Sequence, residues 1–257
     1  MSNLDQFIER HSPKTFSELV FADPIVKSHI SQYVKAQRYG NIILYGPYGS
    51  AKSTTGRIII EERQRSLGIS SPLFYRFGGR TLVKGFEKEI ENTFNMMLNS
   101  TFGGGEQPYI LIDEVDQIKG ELPYDLRELI DTLPSCKFIM TTNNLDDVDG
   151  GIRDRSELFE ILHPSPQQWL DRALDIVAAE GCAVTKPQLL HVLTSAQSRG
   201  PCASMREILR ELDRLVVSLQ SSTAQTTQSS SSKTLQRMTA VNAVLSAQGL
   251  AAKKKSK

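Results

Sequence analysis

The stretch that decides the fold is YGPYGSAKST, residues 45–54. It follows NIILY, an apolar run that predicts a buried strand, and it leads into KSTTGRIIIEERQRS, which predicts a helix. A glycine-rich turn between a strand and a helix presents backbone N–H groups and a helix N-terminus, which together bind phosphate. The predicted nucleotide contacts are the consecutive residues Gly46, Pro47, Tyr48, Gly49, Ser50, Ala51, Lys52, Ser53 and Thr54.

Three residues of this loop have distinct predicted roles. Lys52 reaches the terminal phosphates of a nucleotide, and the Ser53 hydroxyl holds Mg²⁺. Ala51 stands where the usual pattern has its second glycine, and it adds about 1 kcal/mol of strain if its φ is positive. We interpret Ala51 as a tolerated variant, because a methyl group is the smallest possible addition. Taken alone, the stretch also fits a glycine-rich turn with an ordinary lysine.

Apolar runs and helical patterns alternate through the first two thirds of the chain. The predicted strands are 41–46, 71–77, 108–113, 136–142 and 156–162, and the predicted helices are 23–37, 52–66, 83–99 and 123–133. Apolar runs of this length that alternate with helices are typical of a parallel sheet with helices on both faces. The predicted fold class is therefore α/β, with a nucleotide-binding domain over residues 1–163.

From about Pro164 onward the pattern contains only helices, at 165–181, 186–198 and 204–220. These predict a small all-α lid domain over residues 164–220. Residues 221–257 read as a low-complexity linker and a basic tail, with one further helical pattern at 235–252 that nothing predicts to be ordered alone.

Charge and composition limit the partners and the compartment. The net charge is +1, and residues 221–257 hold six Lys and Arg and no acid, so whole-chain charge gives little support for nucleic-acid binding. The chain contains no apolar window of membrane-spanning length and no signal peptide, which predicts a cytoplasmic protein without a membrane partner. The cysteines Cys136, Cys182 and Cys202 are too far apart for a metal site and predict small apolar side chains in the core.

Two later strands end in polar side chains that suit phosphoryl transfer. Asp113 and Glu114 follow the strand YILI, at the edge where an open parallel sheet binds ligands. Asp113 is predicted to hold Mg²⁺ and Glu114 to activate the attacking water, while Asn143, after the next strand, positions that water. The alternatives are solvated acids at a strand end and an ordinary turn asparagine.

Together these motifs carry a family resemblance. The order GPYGSAKST, ILIDEVD and FIMTTNN, followed by a helical domain, resembles the AAA+ ATPases, a P-loop NTPase family. The N-terminal ERHSPKTFSELV is similar to the E-K-Y-R-P-K-T-F-x-x-L-V-G box of the clamp-loader branch, which comprises the small subunits of replication factor C and their phage and bacterial counterparts. The resemblance spans roughly residues 8–215 and implies ATP and Mg²⁺ as ligands and ATP hydrolysis stimulated by assembly and DNA.

The resemblance also implies roles for residues outside the loop. Val20 and Phe21 would line the adenine pocket, and Arg206 would contact the γ-phosphate of its own subunit. Arg155, in Asp-Arg-Ser where the family has Ser-Arg-Cys, would reach the nucleotide of a neighbouring subunit in trans. Arg153 competes for that role, and ordinary surface arginines are the alternative throughout.

The implied function is a clamp-loader-like role in DNA replication, within a homo- or hetero-oligomer that acts on DNA and a DNA-bound protein such as a sliding clamp. Candidate contacts to DNA phosphates are Arg80, Lys84 and Lys88. Clamp-loader subunits continue into a helical collar, which this chain replaces with its linker and tail, so we expect another contact to hold the assembly. Alternative roles are a helicase loader, a transposition regulator, a branch-migration motor, an ATP-dependent scaffold that does not hydrolyse ATP, and, least favoured, a kinase or GTPase.

Overall fold

The computed structural model describes residues 3–100, 108–197 and 204–221. The strands are β1 Asn41–Tyr45, β2 Arg76–Gly78, β3 Tyr109–Asp113, β4 Lys137–Thr142 and β5 Ser156–Glu160. The helices are α1 Asn3–His11, α2 Pro24–Val34, α3 Lys52–Ser66, α4 Phe86–Ser100, α5 Leu122–Thr132, α6 Gly150–Asp154, α7 Pro166–Ala179, α8 Lys186–Gln197 and α9, residues 205–221. The tail predictions for 222–257 and the prediction for Cys202 fall outside the described residues.

The five strands form one sheet in the order β2-β3-β4-β1-β5, and each neighbouring pair is parallel. The predicted α/β class is therefore confirmed. Because strands with the buried pattern of β1, β3 and β4 need cover on both faces, alternate side chains enter two separate cores. Helices α4 and α5 pack on one face, around Phe138 and Met140, and α2 and α3 pack on the other, around Leu111 and Ile139.

Strand β2 is shorter than predicted. Residues 71–75 lie outside the strand, and the physical reason is local hydrogen bonding. Pro72 has no N–H to donate to a ladder. The Gln64 side chain pairs with the backbone of Leu73, accepting from its N–H at 2.7 Å and donating to its carbonyl oxygen at 2.7 Å. The prediction of a strand over 71–77 is thus wrong for all but its last two residues.

Helix ends follow the local sequence signals. Asp23 caps α2 by accepting a hydrogen bond from the Ile25 N–H, with Pro24 in the first turn. Ser165 and Gln168 form a reciprocal capping box at the start of α7, and Gly181 (φ +72°) follows its end. Helix α2 ends at Val34, three residues before the predicted end.

Helices α7, α8 and α9 pack together, as the sequence predicts for the lid. Their core includes Trp169, Leu193 and Leu212, and it also contains Phe7 from α1, a helix that the sequence analysis did not anticipate. A hydrogen bond from His11 Nε2 to Glu180 Oε1 (2.6 Å) ties the end of α1 to the end of α7. The N-terminal helix therefore belongs to the packing of the lid.

Two of the three cysteines lie in the described part of the chain. Cys136 is buried, which raises the pKa of its thiol to about 12, and Cys182 is half-buried against the lid core. Burial confirms the interpretation of Cys136 as a small apolar core residue. In the described ranges, no helix combines the length and the apolar character that crossing a membrane requires.

Candidate nucleotide-binding site

The loop between β1 and α3 is held in place by close backbone approaches. Gly46 (φ +139°) runs so near β5 that a Cβ there would lie 2.5 Å from the carbonyl oxygen of Ile161. Gly49 (φ +75°) faces the lid, where a Cβ would lie 2.4 Å from Cβ of Ser204. The Met205 N–H donates to the Gly49 carbonyl oxygen at 3.1 Å. Both positions therefore require glycine, and the lid rests directly on the loop.

Ala51 occupies the left-handed region, with φ +68° and ψ +20°, and is the residue before α3. The φ of Ala51 is therefore positive, which is the condition under which the sequence predicts strain at this residue. For a residue with a Cβ, this conformation costs about 1–2 kcal/mol. A strained non-glycine residue at this position is a feature of this chain, and the surrounding loop must hold it.

Lys52, the first residue of α3, is directed at the loop itself. Its Nζ donates to the carbonyl oxygens of Gly46 (2.9 Å) and Pro47 (2.7 Å), and the residue is only 7% exposed. Burial lowers the pKa of Lys52 to about 8, against the opposing influence of Asp113 and Asp116. The ammonium group therefore lies at the centre of the loop, where it would meet the phosphates of a nucleotide.

Asp113, at the end of β3, is buried beside the loop. Its Oδ1 accepts a hydrogen bond from Thr141 Oγ1 at 2.6 Å. Oδ2 forms an ion pair with Arg76, whose Nε lies 2.5 Å away. Carboxylate oxygens suit Mg²⁺ and its bound waters, so the chemistry of Asp113 fits the role predicted for it, although Arg76 lies against Oδ2 in this structure.

Glu114 lies at the same sheet edge and points into the cleft. Its backbone is left-handed (φ +55°), and its N–H donates to Thr141 Oγ1 at 3.2 Å. Its side chain is about half exposed, and its Oε2 is 3.1 Å from Arg80 Nε. A Cβ at Gly79 would lie 2.2 Å from the Glu114 carbonyl oxygen. The segment after β2 thus packs against the backbone that carries this carboxylate.

Three of the four predicted catalytic side chains, Glu114, Asn143 and Arg206, line one cleft with a volume of about 340 Å³. Its walls include Lys52, Ser53, Thr54, Glu114, Asn143 and Arg206, together with Arg76, Thr141 and the loop residues Tyr48, Gly49 and Ala51. The parallel sheet brings Glu114 and Asn143 together, because β3 and β4 are neighbours and both end at this edge. Arg206 reaches the cleft from α9 of the lid.

A second, more apolar pocket lies on the other side of the loop. Val20 and Phe21 line it together with Trp169 and Met205 of the lid, and with Ser50, Ala51 and His163. Burial and the nearby charge of Lys52 lower the pKa of His163. An apolar pocket next to a phosphate-binding loop is suited to a nucleotide base. Val20 and Phe21 line this pocket, and the adenine contacts that the resemblance implies for them stay a prediction.

Arg155 lines neither of the two pockets. It directly follows α6, and its guanidinium is paired with Asp131 of α5. The competing candidate Arg153 pairs with Asp146, with Nη1 and Oδ1 3.8 Å apart. Neither arginine contacts the cleft of its own subunit, as a role in trans requires.

Sequence reasoning missed several residues of the cleft. Arg76 and Thr141 both contact Asp113, and His163 lies near Lys52. Arg80, predicted as a DNA contact, is paired with Glu114, and its contact with DNA stays a prediction. No short motif marks Arg76, Thr141 and His163, and the signal that could have found them is their position within or shortly after β2, β4 and β5.

Comparison with known proteins agrees with this geometry. Residues 42–164 match the family described as ATPase family associated with various cellular activities (AAA). The replication factor C small subunit of Archaeoglobus fulgidus is 24% identical over 194 residues, which cover 74% of this chain and 58% of that protein. The corresponding subunit of Methanoculleus marisnigri is 22% identical, covering 71% of this chain and 56% of the relative. The chain thus spans less than two thirds of these curated relatives.

Among solved structures, the RuvB Holliday junction branch migration motor of Thermotoga maritima is similar, with a TM-score of 0.59 and 16% sequence identity. The match covers 80% of this chain and 64% of that one. At this identity, the likeness establishes a shared fold.

Proposed function

Since residues 42–164 match the AAA ATPase family, we propose that this chain is an ATP-hydrolysing subunit of an oligomeric, DNA-associated machine with a clamp-loader-like role in replication. The observation that carries the proposal is the single cleft that collects Lys52, Glu114, Asn143 and Arg206 from four separate parts of the chain. The names of the curated relatives, all replication factor C small subunits, support replication as the setting.

Within the cleft, the residues divide the work of phosphoryl transfer. Lys52 exchanges its loop carbonyls for the β- and γ-phosphates. Ser53 and Asp113 would hold Mg²⁺, which would neutralise phosphate charge. Glu114 accepts a proton from the attacking water, and Asn143 orients that water. Arg206 places a positive charge from the lid near the γ-phosphate.

Closure of the lid is part of this proposal. The contact between Met205 and Gly49 places the start of α9 on the phosphate-binding loop, so nucleotide bound in the loop also meets the lid. The base would lie in the pocket lined by Phe21, Trp169 and Met205. Nucleotide binding therefore stabilises one orientation of the lid relative to the sheet.

Assembly completes the site, because Arg155 of each subunit supplies its charge to the nucleotide of the next. An arginine supplied in trans neutralises charge that develops on the transferred phosphoryl group, and it makes hydrolysis depend on assembly. DNA phosphates are the proposed second ligand, with the exposed Lys84 and Lys88 as candidate contacts. A sliding clamp is the proposed protein partner.

Steady-state ATP hydrolysis, measured with and without primed DNA, tests the proposal. The wild-type chain should hydrolyse ATP, Lys52→Ala should lose nucleotide binding, and Glu114→Gln should bind ATP but turn it over at least about 100-fold more slowly. The matched control is Glu121→Gln, which removes an exposed carboxylate outside the cleft. Absence of ATP turnover in both the wild-type chain and Glu114→Gln would refute the proposed ATPase activity.

The second candidate is a scaffold that binds ATP and assembles without hydrolysing it. The strained φ of Ala51 and the close approach of Arg76 to Asp113 favour it. Assembly that depends on ATP in the absence of turnover, measured by sedimentation velocity, would establish this function. A helicase loader, a transposition regulator or a branch-migration motor would use the same cleft, and identification of proteins that co-purify with the chain separates these roles.

A further inference from the structure

Each of the three guanidinium nitrogens of Arg155 donates one hydrogen bond within its own subunit, although the residue lies at the surface. Its Nε donates to Asp131 Oδ1 at 2.8 Å and its Nη2 donates to Oδ2 at 2.9 Å, a two-pronged pairing with the carboxylate. Its Nη1 donates to the Gly151 carbonyl oxygen at 3.0 Å. The hydrogen bond from Arg155 lowers the pKa of Asp131, so this carboxylate is ionised at neutral pH. The guanidinium is thus fixed by three hydrogen bonds.

These contacts leave part of the guanidinium free for a ligand. An arginine has five N–H donors, one on Nε and two on each terminal nitrogen. The three hydrogen bonds use one donor on each nitrogen. One N–H therefore remains on Nη1 and one on Nη2, which is enough for two oxygen atoms of a phosphoryl group. Asp131 restrains Arg155 without occupying all of its binding capacity.

Helix α5 determines where Arg155 is held. Asp131 pairs with Arg155 after the last residue of α6, and Arg127, one turn earlier on α5, pairs with Asp149 at the start of α6, with Nε and Oδ1 3.4 Å apart. Gly151 lets α6 approach this face, because a Cβ there would lie 2.4 Å from Cδ of Arg127. Two charged pairs on one face of α5 therefore tie down both ends of α6.

The contribution of the Arg155–Asp131 pair to folding stability is too small to explain the pair. Arg155 and Asp131 have side chains that are 35% and 55% exposed. Pairs with this exposure contribute little to stability, because solvent screens the attraction between the two charges. The pair instead affects the orientation of the arginine. A long flexible side chain that must act across an interface loses less conformational freedom on binding when it is already fixed.

We propose that Asp131 is a positioning residue, which holds the Arg155 guanidinium in the orientation that the nucleotide of a neighbouring subunit requires. The proposal rests on the proposed function, in which Arg155 acts in trans. Loss of Asp131 lets the side chain move, and a misplacement of about 1 Å can cost about 100-fold in rate. Nucleotide binding by the subunit's own cleft does not involve Asp131.

The test measures kcat, KM and ATP affinity for the full chain carrying Asp131→Ala, Asp131→Glu or Arg155→Ala. Asp131→Ala should lower kcat about 10-fold to 100-fold while the Kd for ATP changes less than about twofold. Asp131→Glu keeps the carboxylate and should recover most of the activity. Glu128→Gln, which removes an exposed carboxylate one turn earlier on α5, should match wild type.

The double variant Asp131→Ala with Arg155→Ala separates positioning from structural damage. If Asp131 acts only through Arg155, the double variant should be as active as Arg155→Ala alone. A further loss in the double variant, or wild-type kcat in Asp131→Ala while Arg155→Ala is impaired, would overturn the positioning role and leave the proposed function intact. If Arg155→Ala itself hydrolyses ATP normally, the trans role fails and the positioning role fails with it.

Discussion

Ala51 shows how one side chain sets the energetics of a phosphate-binding loop. With φ +68°, it holds a conformation that glycine adopts without cost. The loop keeps this geometry because Gly46 and Gly49 allow the backbone to pass against β5 and the lid. Strain at Ala51 is therefore a property of the folded state that can be measured.

Ala51→Gly should raise the free energy of unfolding by about 0.5–1 kcal/mol, because relief of the left-handed strain exceeds the added entropy of the unfolded chain. Urea denaturation followed by circular dichroism measures this change. Ala36→Gly is the matched control, since Ala36 also has a positive φ (+57°) and is remote from the loop in the sequence. It should give a similar gain without altering ATP affinity. A less stable Ala51→Gly protein would show that the alanine is not strained.

Lys52 makes ATP affinity depend on pH. Its pKa of about 8 in the free protein is below the usual value, so the ammonium form declines as pH rises above 8. Because phosphates bind the protonated form, ATP binding takes up a proton in this range, and Kd should rise by up to about tenfold per pH unit.

Calorimetry at pH 7 to 9.5, in buffers with different ionisation enthalpies, measures both the affinity and the proton uptake. Lys52→Arg, which keeps its charge throughout this range, should show a flat profile. A wild-type Kd that is constant from pH 7 to 9.5 would contradict the lowered pKa of Lys52.

At the scale of elements, α1 connects the N-terminus to the lid and to the cleft. Phe7 is 3% exposed within the lid core, while Ile8 and Ser12, on and just after the same helix, line the nucleotide cleft. One helix therefore contributes to two structural units. Its packing against α7 and α9 is expected to limit how freely the lid moves.

Phe7→Ala should lower the free energy of unfolding by about 3 kcal/mol, because it removes a buried aromatic ring and leaves a cavity in a small core. Differential scanning calorimetry and limited proteolysis of the lid helices measure the effect. Glu9→Ala, at an exposed position on the same helix, is the control and should change stability by less than about 0.5 kcal/mol. Equal stability of the two variants would mean that α1 does not contribute to the lid core.

At the scale of the whole molecule, the proposed active site would be complete only where two subunits meet. Glu114 lines the cleft of its own subunit, whereas Arg155 does not line that cleft and pairs with Asp131 of α5. A ring or open spiral in which each Arg155 approaches the next cleft brings the two together. This arrangement predicts a specific behaviour of mixed assemblies.

Arg155→Ala should bind ATP nearly as wild type does and lose most hydrolysis, and Glu114→Gln should be inactive as well. In an equal mixture, roughly one quarter of the junctions combine an intact Glu114 with an intact Arg155, so activity should reappear. Steady-state hydrolysis across a series of mixing ratios measures it. If no ratio restores activity although both variants co-assemble, Arg155 does not act in trans.

The sequence by itself determined the local features of this protein. Gly46 follows a buried strand and Lys52 and Ser53 open a helix, and that order predicts a phosphate-binding loop, because phosphate binding depends on backbone geometry over a few residues. The parallel sheet was also predictable from the sequence, since strands buried on both faces appear there as uninterrupted apolar runs. The short β2 did not follow, because the side chain of Gln64 satisfies the backbone that the strand would have used.

Only the tertiary structure decided which distant residues meet. Arg76 and Thr141 contact Asp113, Arg80 contacts Glu114, and Asp131 holds Arg155. These contacts come from the strand order β2-β3-β4-β1-β5 and from the packing of α5 on α6, which no periodicity in the chain encodes. Local motifs are fixed by nearest neighbours in sequence, whereas the partners of a charged side chain are fixed by the packing of whole elements, because ion pairs form wherever the fold brings opposite charges together.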